Sequence, residues 1–273
     1  MTNETDAVGE RVPIAAFDLD GTLTRINSGT ALMMLLCEKD GLVSSDVRRQ
    51  LNSLMEKVRF GEITFESYEG RLERLILRGL CGLRPEDVEI AAALVAATSG
   101  RRTFSFTGSL LATVRNTHHC LAVTGSLGEV AERLAKSLDF HGCIPNRMKM
   151  NGGRYSNRLI EPPTHTDKGG IVRRLVEADH ELTLTGSLAI GDAGSDISML
   201  EAVEWPIAFN PNPGLAAAAA RHGWPIVTER KGLITVLEAE PDARHGQFRQ
   251  FGPDEVDEAV ACALDAAERT GRR

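Results

Sequence analysis

No stretch of the 273 residues is apolar for long enough to cross a membrane as a helix. Residues 1–11 are polar and acidic. They lack both a basic start and an apolar segment, so they do not form a signal peptide and are expected to be a disordered leader. There is no basic excess either: 31 Lys and Arg stand against 38 Asp and Glu, a formal net charge of -7. A general nucleic-acid binder is expected to be basic, so no nucleic-acid partner is expected. A small anionic substrate stays open, because local charge decides that. Cysteines are few and unpaired in pattern. Cys37, Cys81, Cys120, Cys143 and Cys262 are odd in number and include no Cys-x-x-Cys pair. That argues for buried thiols in a reducing cytoplasm, not for disulfides or zinc.

What the chain does have begins with a short apolar run, Val12 to Phe17, of strand length. It ends in Asp18-Leu19-Asp20-Gly21-Thr22. Two carboxylates so close repel and raise each other's pKa unless a cation neutralises them, and Mg²⁺ favours hard oxygen ligands. From Thr30 to Cys37 and from Ser44 to Ala97 the apolar spacing is helical, with breaks at Gly41, Gly61 and Gly79 to Gly82. After Thr107 strands and helices alternate. Strands are expected at Cys120–Thr124, Cys143–Ile144, Ser187–Ile190, Pro206–Phe209 and, last, Pro225–Val227. Helices are expected at Gly108–Thr117, Leu127–Leu138, Lys168–Ala178, Ile197–Val203 and Pro213–Arg221. Met148 to Ile160 reads as a hairpin turning at Asn151-Gly152. Glu238 to Pro253 reads as loop, and His118 and His119 as loop residues away from the site.

The fold class is therefore α/β: a doubly wound, mostly parallel, Rossmann-like sheet with an inserted small helical domain. The expected core comprises 12–27 and 101–273, and the helical insert 28–100. An amphipathic helix over 254–270 closes the core. It packs on the body or on a partner chain, which leaves a homodimer open.

In open parallel sheets, ligands bind beyond the carboxyl ends of the strands. Asp18 and Asp20 end one predicted strand, Thr124 and Gly125 a second, and Asp192 and Asp196 follow a third. Lys168 opens the helix before that third strand. Together they supply a carboxylate nucleophile, an acid/base and carboxylates for a divalent metal. They also supply a hydroxyl with amides for phosphoryl oxygens, and a lysine for developing charge.

With these motifs in this order, the chain resembles the haloacid dehalogenase superfamily of phosphatases, from Val12 to Thr228. The helical insert after the first motif resembles the cap of its phosphoserine-phosphatase-like branch. The resemblance implies that Asp18 attacks phosphorus and that Asp20 protonates the leaving oxygen and then activates water. Thr124 and Gly125 would hold phosphoryl oxygens, and Lys168 would neutralise their charge. Mg²⁺ would bind Asp18, the Asp20 carbonyl and Asp192, with Asp196 as a further ligand or support. Asn27 matches a position where phosphoserine phosphatases carry an acidic residue for the substrate ammonium, which weakens the case for phosphoserine. Arg71 would meet a substrate carboxylate if one residue is deleted from the family's spacing. Phe65 would face the substrate or pack in the cap. Ser195 stands where many relatives have Asn and would alter a hydrogen bond near the phosphate. The implied activity is Mg²⁺-dependent hydrolysis of a small phosphate ester. A phosphotransferase using an alcohol acceptor and a non-catalytic regulatory module are the alternatives.

Overall fold

β1 (Val12–Phe17) lies in the middle of an eight-stranded sheet. It is flanked by β2 (His119–Leu127), and β3 (Gly142–Asn146) lies beyond that strand. A computed structural model describes residues 11–38, 42–238 and 247–271, apart from the side chains of 65 and 66. The expected leader, except Arg11, the break at Gly41 and the Phe65 side chain lie outside the described residues. Side chains on β1 alternate between the two faces, as a period of two requires. Ala15 and Phe17 enter the larger apolar cluster, and Ile14 and Ala16 the smaller one on the opposite face.

Five helices follow β1 before the chain returns to the sheet, and the first four are α1 (Ser28–Glu38), α2 (Ser45–Arg59), α3 (Phe65–Leu80) and α4 (Pro85–Gly100). Capping fixes their starts. Ser44 accepts the Val47 amide at 3.3 Å, Thr64 accepts the Ser67 amide at 3.2 Å, and Pro85 opens α4. Leu32, Met33, Leu36, Leu80 and Val88 are fully buried between these helices. Each such side chain contributes about 1.5–3 kcal/mol by leaving water.

The chain continues through α5 (Ser105–Val114), β2, α6 (Gly128–Ser137) and β3. It then forms a separate hairpin of β4 (Met148–Asn151) and β5 (Arg154–Leu159). Next come α7 (Lys168–Ala178), β6 (Leu182–Gly191), α8 (Ile197–Leu200), β7 (Trp205–Phe209), α9 (Pro213–His222), β8 (Ile226–Arg230) and β9 (Leu233–Glu238). β10 (Gln247–Phe251) and α10 (Val256–Gly271) end the described chain. The sheet order is β10-β9-β8-β7-β6-β1-β2-β3. β3 through β8 in that order run parallel, and β9 and β10 are antiparallel additions. The expected α/β class with a mostly parallel sheet is found.

Several expected elements shift, each for a local reason. The hairpin turns at Gly152-Gly153, both with positive φ, while Asn151 pairs with Arg154. β6 starts five residues before the expected Ser187, because Gly186 (φ +71°) takes up a register slip against β1 inside one longer strand. Pro225–Val227 does not hold the last strand. Lys231 and Gly232, both left-handed, turn β8 back into β9. β10 occupies part of the expected Glu238–Pro253 loop, and residues 239–246 lie outside the described chain. His118 is buried, with Nε2 3.0 Å from the Gly186 carbonyl oxygen, and His119 begins β2.

Candidate active site

β1 ends at Phe17, and the amide of the next residue, Asp18, donates to the Ile190 carbonyl of β6 at 3.0 Å. The chain then turns tightly: Leu23 and Thr24 both donate to the Leu19 carbonyl. Gly21 (φ +88°) makes the turn, and a Cβ there would lie 2.4 Å from Asp192 Oδ2. Glycine is therefore required both for conformation and for close approach. Thr22 Oγ1 donates to Asp192 Oδ1 at 2.9 Å, tying the first loop to the one after β6.

That second loop folds around Asp196. Its Oδ2 accepts the Asp192 and Ala193 amides at 3.0 and 2.9 Å. Its Oδ1 accepts from Lys168 Nζ at 2.6 Å, and the same ammonium donates to Asp18 Oδ1 at 2.6 Å. Lys168 is fully buried at the start of α7, whose N-cap Asp167 accepts the Gly170 amide at 2.8 Å. Asp20 is held through one oxygen only. Its Oδ2 accepts from the Ser28 amide, Ser28 Oγ and Ser126 Oγ at 2.7–2.8 Å. Its Oδ1 is buried and has no partner among the described residues.

Four carboxylates thus gather around one ammonium. Burial pushes Asp18 up to about 7; Lys168 pulls it down and Asp196 pushes it up. Burial, then the charges of Asp18 and Asp196, push Asp192 up to about 9. Burial also raises Asp20, against its serine hydrogen bonds. Burial alone would lower Lys168, but Asp18 and Asp196 outweigh it and hold the ammonium above its ordinary value. Asp18, Asp192 and Asp196 offer carboxylate oxygens within 4.8 Å of one another. An under-neutralised cluster of hard oxygen donors fits a divalent cation such as Mg²⁺.

The Thr124-Gly125-Ser126 segment bows out of β2, where pairing with β3 slips between Val123 and Leu127. Thr124 Oγ1 accepts the Ser126 amide at 3.1 Å. Asn146 Nδ2 donates to the Gly125 carbonyl at 2.9 Å. These groups share a cavity of about 320 Å³ between the strand ends and α1 and α3. Asp18, Asp20, Asn27, Thr124, Gly125, Lys168, Asp192, Ser195 and Asp196 all line it. Asn27 also caps α1, where its Oδ1 accepts the Thr30 amide and hydroxyl at 2.9 and 2.8 Å.

Arg71 stands apart from these groups. It is exposed and lines a different hollow, with Lys57, Arg74 and Arg78. The phase of α3 explains this. Leu72, Glu73 and Ile76 share the cavity face, and residue 71 lies a full helical step away from it. Four cavity features had no sequence signal that assigned them: the serines that grip Asp20, Asn146 at the end of β3, Glu73 on α3, and His165. Ser126 alone was visible, as part of Thr-Gly-Ser.

The chain is 30% identical over 118 residues to a phosphoserine phosphatase of Lactococcus lactis, covering 42% of this chain and 51% of that one. It is 26% identical over 210 residues to phosphoserine phosphatase SerB2 of Mycobacterium tuberculosis, covering 76% and 46%. It thus spans about half the length of these curated relatives. A solved structure of a protein of unknown function from Bordetella pertussis Tohama I superposes with a TM-score of 0.62 at 26% identity, covering 79% of this chain and 98% of that one. The family model for haloacid dehalogenase-like hydrolases matches residues 15–201, and the chain belongs to that family.

Proposed function

We propose that this protein is a Mg²⁺-dependent phosphomonoester hydrolase of the phosphoserine-phosphatase-like branch, working through a phosphorylated Asp18. The observation that carries this is the unequal treatment of two neighbouring carboxylates. Asp18 shares the buried Lys168 ammonium, which favours its ionised form. Asp20 is gripped through Oδ2 by Ser28 and Ser126, leaving Oδ1 without a partner among the described residues and able to carry a proton.

Bound by Asp18, Asp192, the Asp20 carbonyl and Asp196 directly or in support, Mg²⁺ would supply Lewis-acid stabilisation of phosphoryl charge. The chain's own residues do the rest. Asp18 attacks phosphorus through the oxygen that Lys168 does not hold, and the ester P–O bond breaks. Asp20 gives its proton to the departing alkoxide, releasing an alcohol. Asp20 then takes a proton from water, whose oxygen attacks the phosphorus of the aspartyl-phosphate. Inorganic phosphate leaves and Asp18 is restored. Thr124, Gly125 and Lys168 hold the phosphoryl oxygens through both steps. Residues 28–100 act as a cap on a core of 12–27 and 101–273, and limit water in the cavity. The five free thiols suit a cytoplasmic setting.

Hydrolysis of p-nitrophenyl phosphate tests the reading. Wild type should turn it over with Mg²⁺ and stop with excess EDTA. Asp18→Asn should lose roughly 10³-fold or more in kcat, as expected for a missing nucleophile. Equal rates for wild type and Asp18→Asn would sink it.

A further inference from the structure

Beyond the phosphate-handling groups, the cavity has a composition of its own. Leu32, Leu72, Ile76, Leu127 and Leu159 give it an apolar wall. Glu69 and Glu73, one turn apart on α3, are its charged residues away from the strand ends. Among the described residues that line it, Lys168 is the only lysine or arginine. That ammonium is already held between Asp18 and Asp196. A substrate carboxylate therefore finds no uncommitted side-chain ammonium or guanidinium here among the described residues.

His165 also lines the cavity, with Nε2 3.4 Å from Glu73 Oε2. Whether it cancels the Glu73 charge depends on its other nitrogen. Asn146 settles that. Its Oδ1 accepts the Thr164 amide at 2.7 Å, and its Nδ2 donates to the Gly125 carbonyl at 2.9 Å. The amide cannot flip without breaking both bonds. Its second N–H then faces His165 Nδ1 at 3.0 Å, so that nitrogen must accept. In this arrangement Nδ1 accepts and the Nε2 N–H points toward Glu73. Glu73 stays an acidic group of this wall.

We propose that this wall selects a phosphate monoester bearing an ammonium group on a short apolar chain, and rejects one bearing a carboxylate. Phosphate sits at Asp18, the carbon chain lies along the leucines, and the ammonium meets Glu73, with Glu69 beside it. The inference rests on the phosphatase reading and deepens it. It also separates this protein from an enzyme of phosphoserine, whose carboxylate would face Glu73.

The test compares 4-aminobutyl phosphate, butyl phosphate and 4-(phosphonooxy)butanoate, with p-nitrophenyl phosphate as reference. Wild type is expected to favour amine over alkyl and alkyl over carboxylate by about tenfold at each step in kcat/KM, the scale of a partly screened charge pair. Glu73→Gln should shrink the amine-to-alkyl ratio to within about threefold, and Glu73→Lys should raise carboxylate relative to amine. Ratios measured on one preparation do not depend on the fraction folded. Turnover of the reference with the carboxylate ester equal to or better than the amine overturns the inference and leaves the phosphatase reading intact. So do ratios that neither variant moves. No turnover of the reference with Mg²⁺ overturns both.

Discussion

Lys168 has two carboxylate partners at 2.6 Å and almost no contact with water, so its removal strands buried charge rather than deleting a surface one. Lys168→Met would leave Asp18 and Asp196 buried with no counter-charge. Breaking a buried pair from one side costs about 3–5 kcal/mol. The penalty should depend on pH, because Asp18 and Asp192 are already raised to about 7 and about 9. Near pH 5 Asp18 carries a proton and adds no stranded charge; as pH rises its charge must form without the pull of Lys168. Urea melts of Lys168→Met against wild type, without divalent metal, should therefore show a larger loss at pH 8 than at pH 5. An equal loss at both would mean that Lys168 contributes by packing alone. Asp20→Asn differs in kind: its three hydrogen-bond donors are all at Oδ2, so an amide can keep the fold while losing the transferable proton. It should cost about 10²–10⁴-fold in kcat for p-nitrophenyl phosphate with a near-unchanged melting temperature.

The elements that carry these residues are braced against one another, and α7 is the tightest case. A Cβ on Gly169 would lie 2.0 Å from the backbone carbonyl oxygen of Ser198 in α8, which cannot rotate away. Gly169→Ala must therefore push the start of α7 from α8, moving Lys168 relative to Asp196. A loss of about tenfold or more in kcat/KM is expected, since small misplacement of catalytic groups is costly, with a lower melting temperature. Wild-type activity in this variant would show that the two helices can slide freely. The same bracing shows what the sequence could and could not reveal. α7 was legible from Lys168 to Ala178 because its apolar spacing and its boundaries are local. The aspartates, Thr124 and Lys168 were legible because their residue types recur at predicted strand ends. β10 was not, because an edge strand that is mostly exposed has no inside to create alternation. β9 carries usable local signs: the Lys231-Gly232 turn, then Leu233-Ile234-Thr235-Val236-Leu237, an apolar, β-branched run in a strand as long as β1. Arg71 sits away from the cavity through the phase of its own helix, whose buried side Leu72 and Ile76 mark in the sequence. Asn146 and His165 act only through contacts across the fold, and neither has a local signature.

At the scale of the whole molecule, the sheet brings its acidic loops to one edge on either side of β1, with β6 on one flank and β2 on the other. The fold thus concentrates negative charge where strands, loops and α7 meet, and this destabilises the folded state. The sign follows from linkage. Asp18 and Asp192 rise from an ordinary 3.8 to about 7 and about 9, so the folded chain binds more protons than the unfolded one. Stability then falls as pH rises, from near the unfolded value up through these folded ones. Each proton held only in the folded state is worth about 1.4 kcal/mol per pH unit. A divalent cation that binds the ionised carboxylates reverses the trend, because it favours the deprotonated folded form. With excess EDTA, the melting temperature should fall between about pH 6 and about pH 9. With millimolar Mg²⁺ it should stay nearly level. The gap between the two curves should widen with pH by at least ~3 °C, the shift that about 1 kcal/mol produces in a domain of this size. Asp192→Asn removes the carboxyl raised to about 9, and should flatten the EDTA curve while abolishing most of the Mg²⁺ effect. Parallel curves with and without Mg²⁺ across this range would mean that the cation does not bind through these carboxylates.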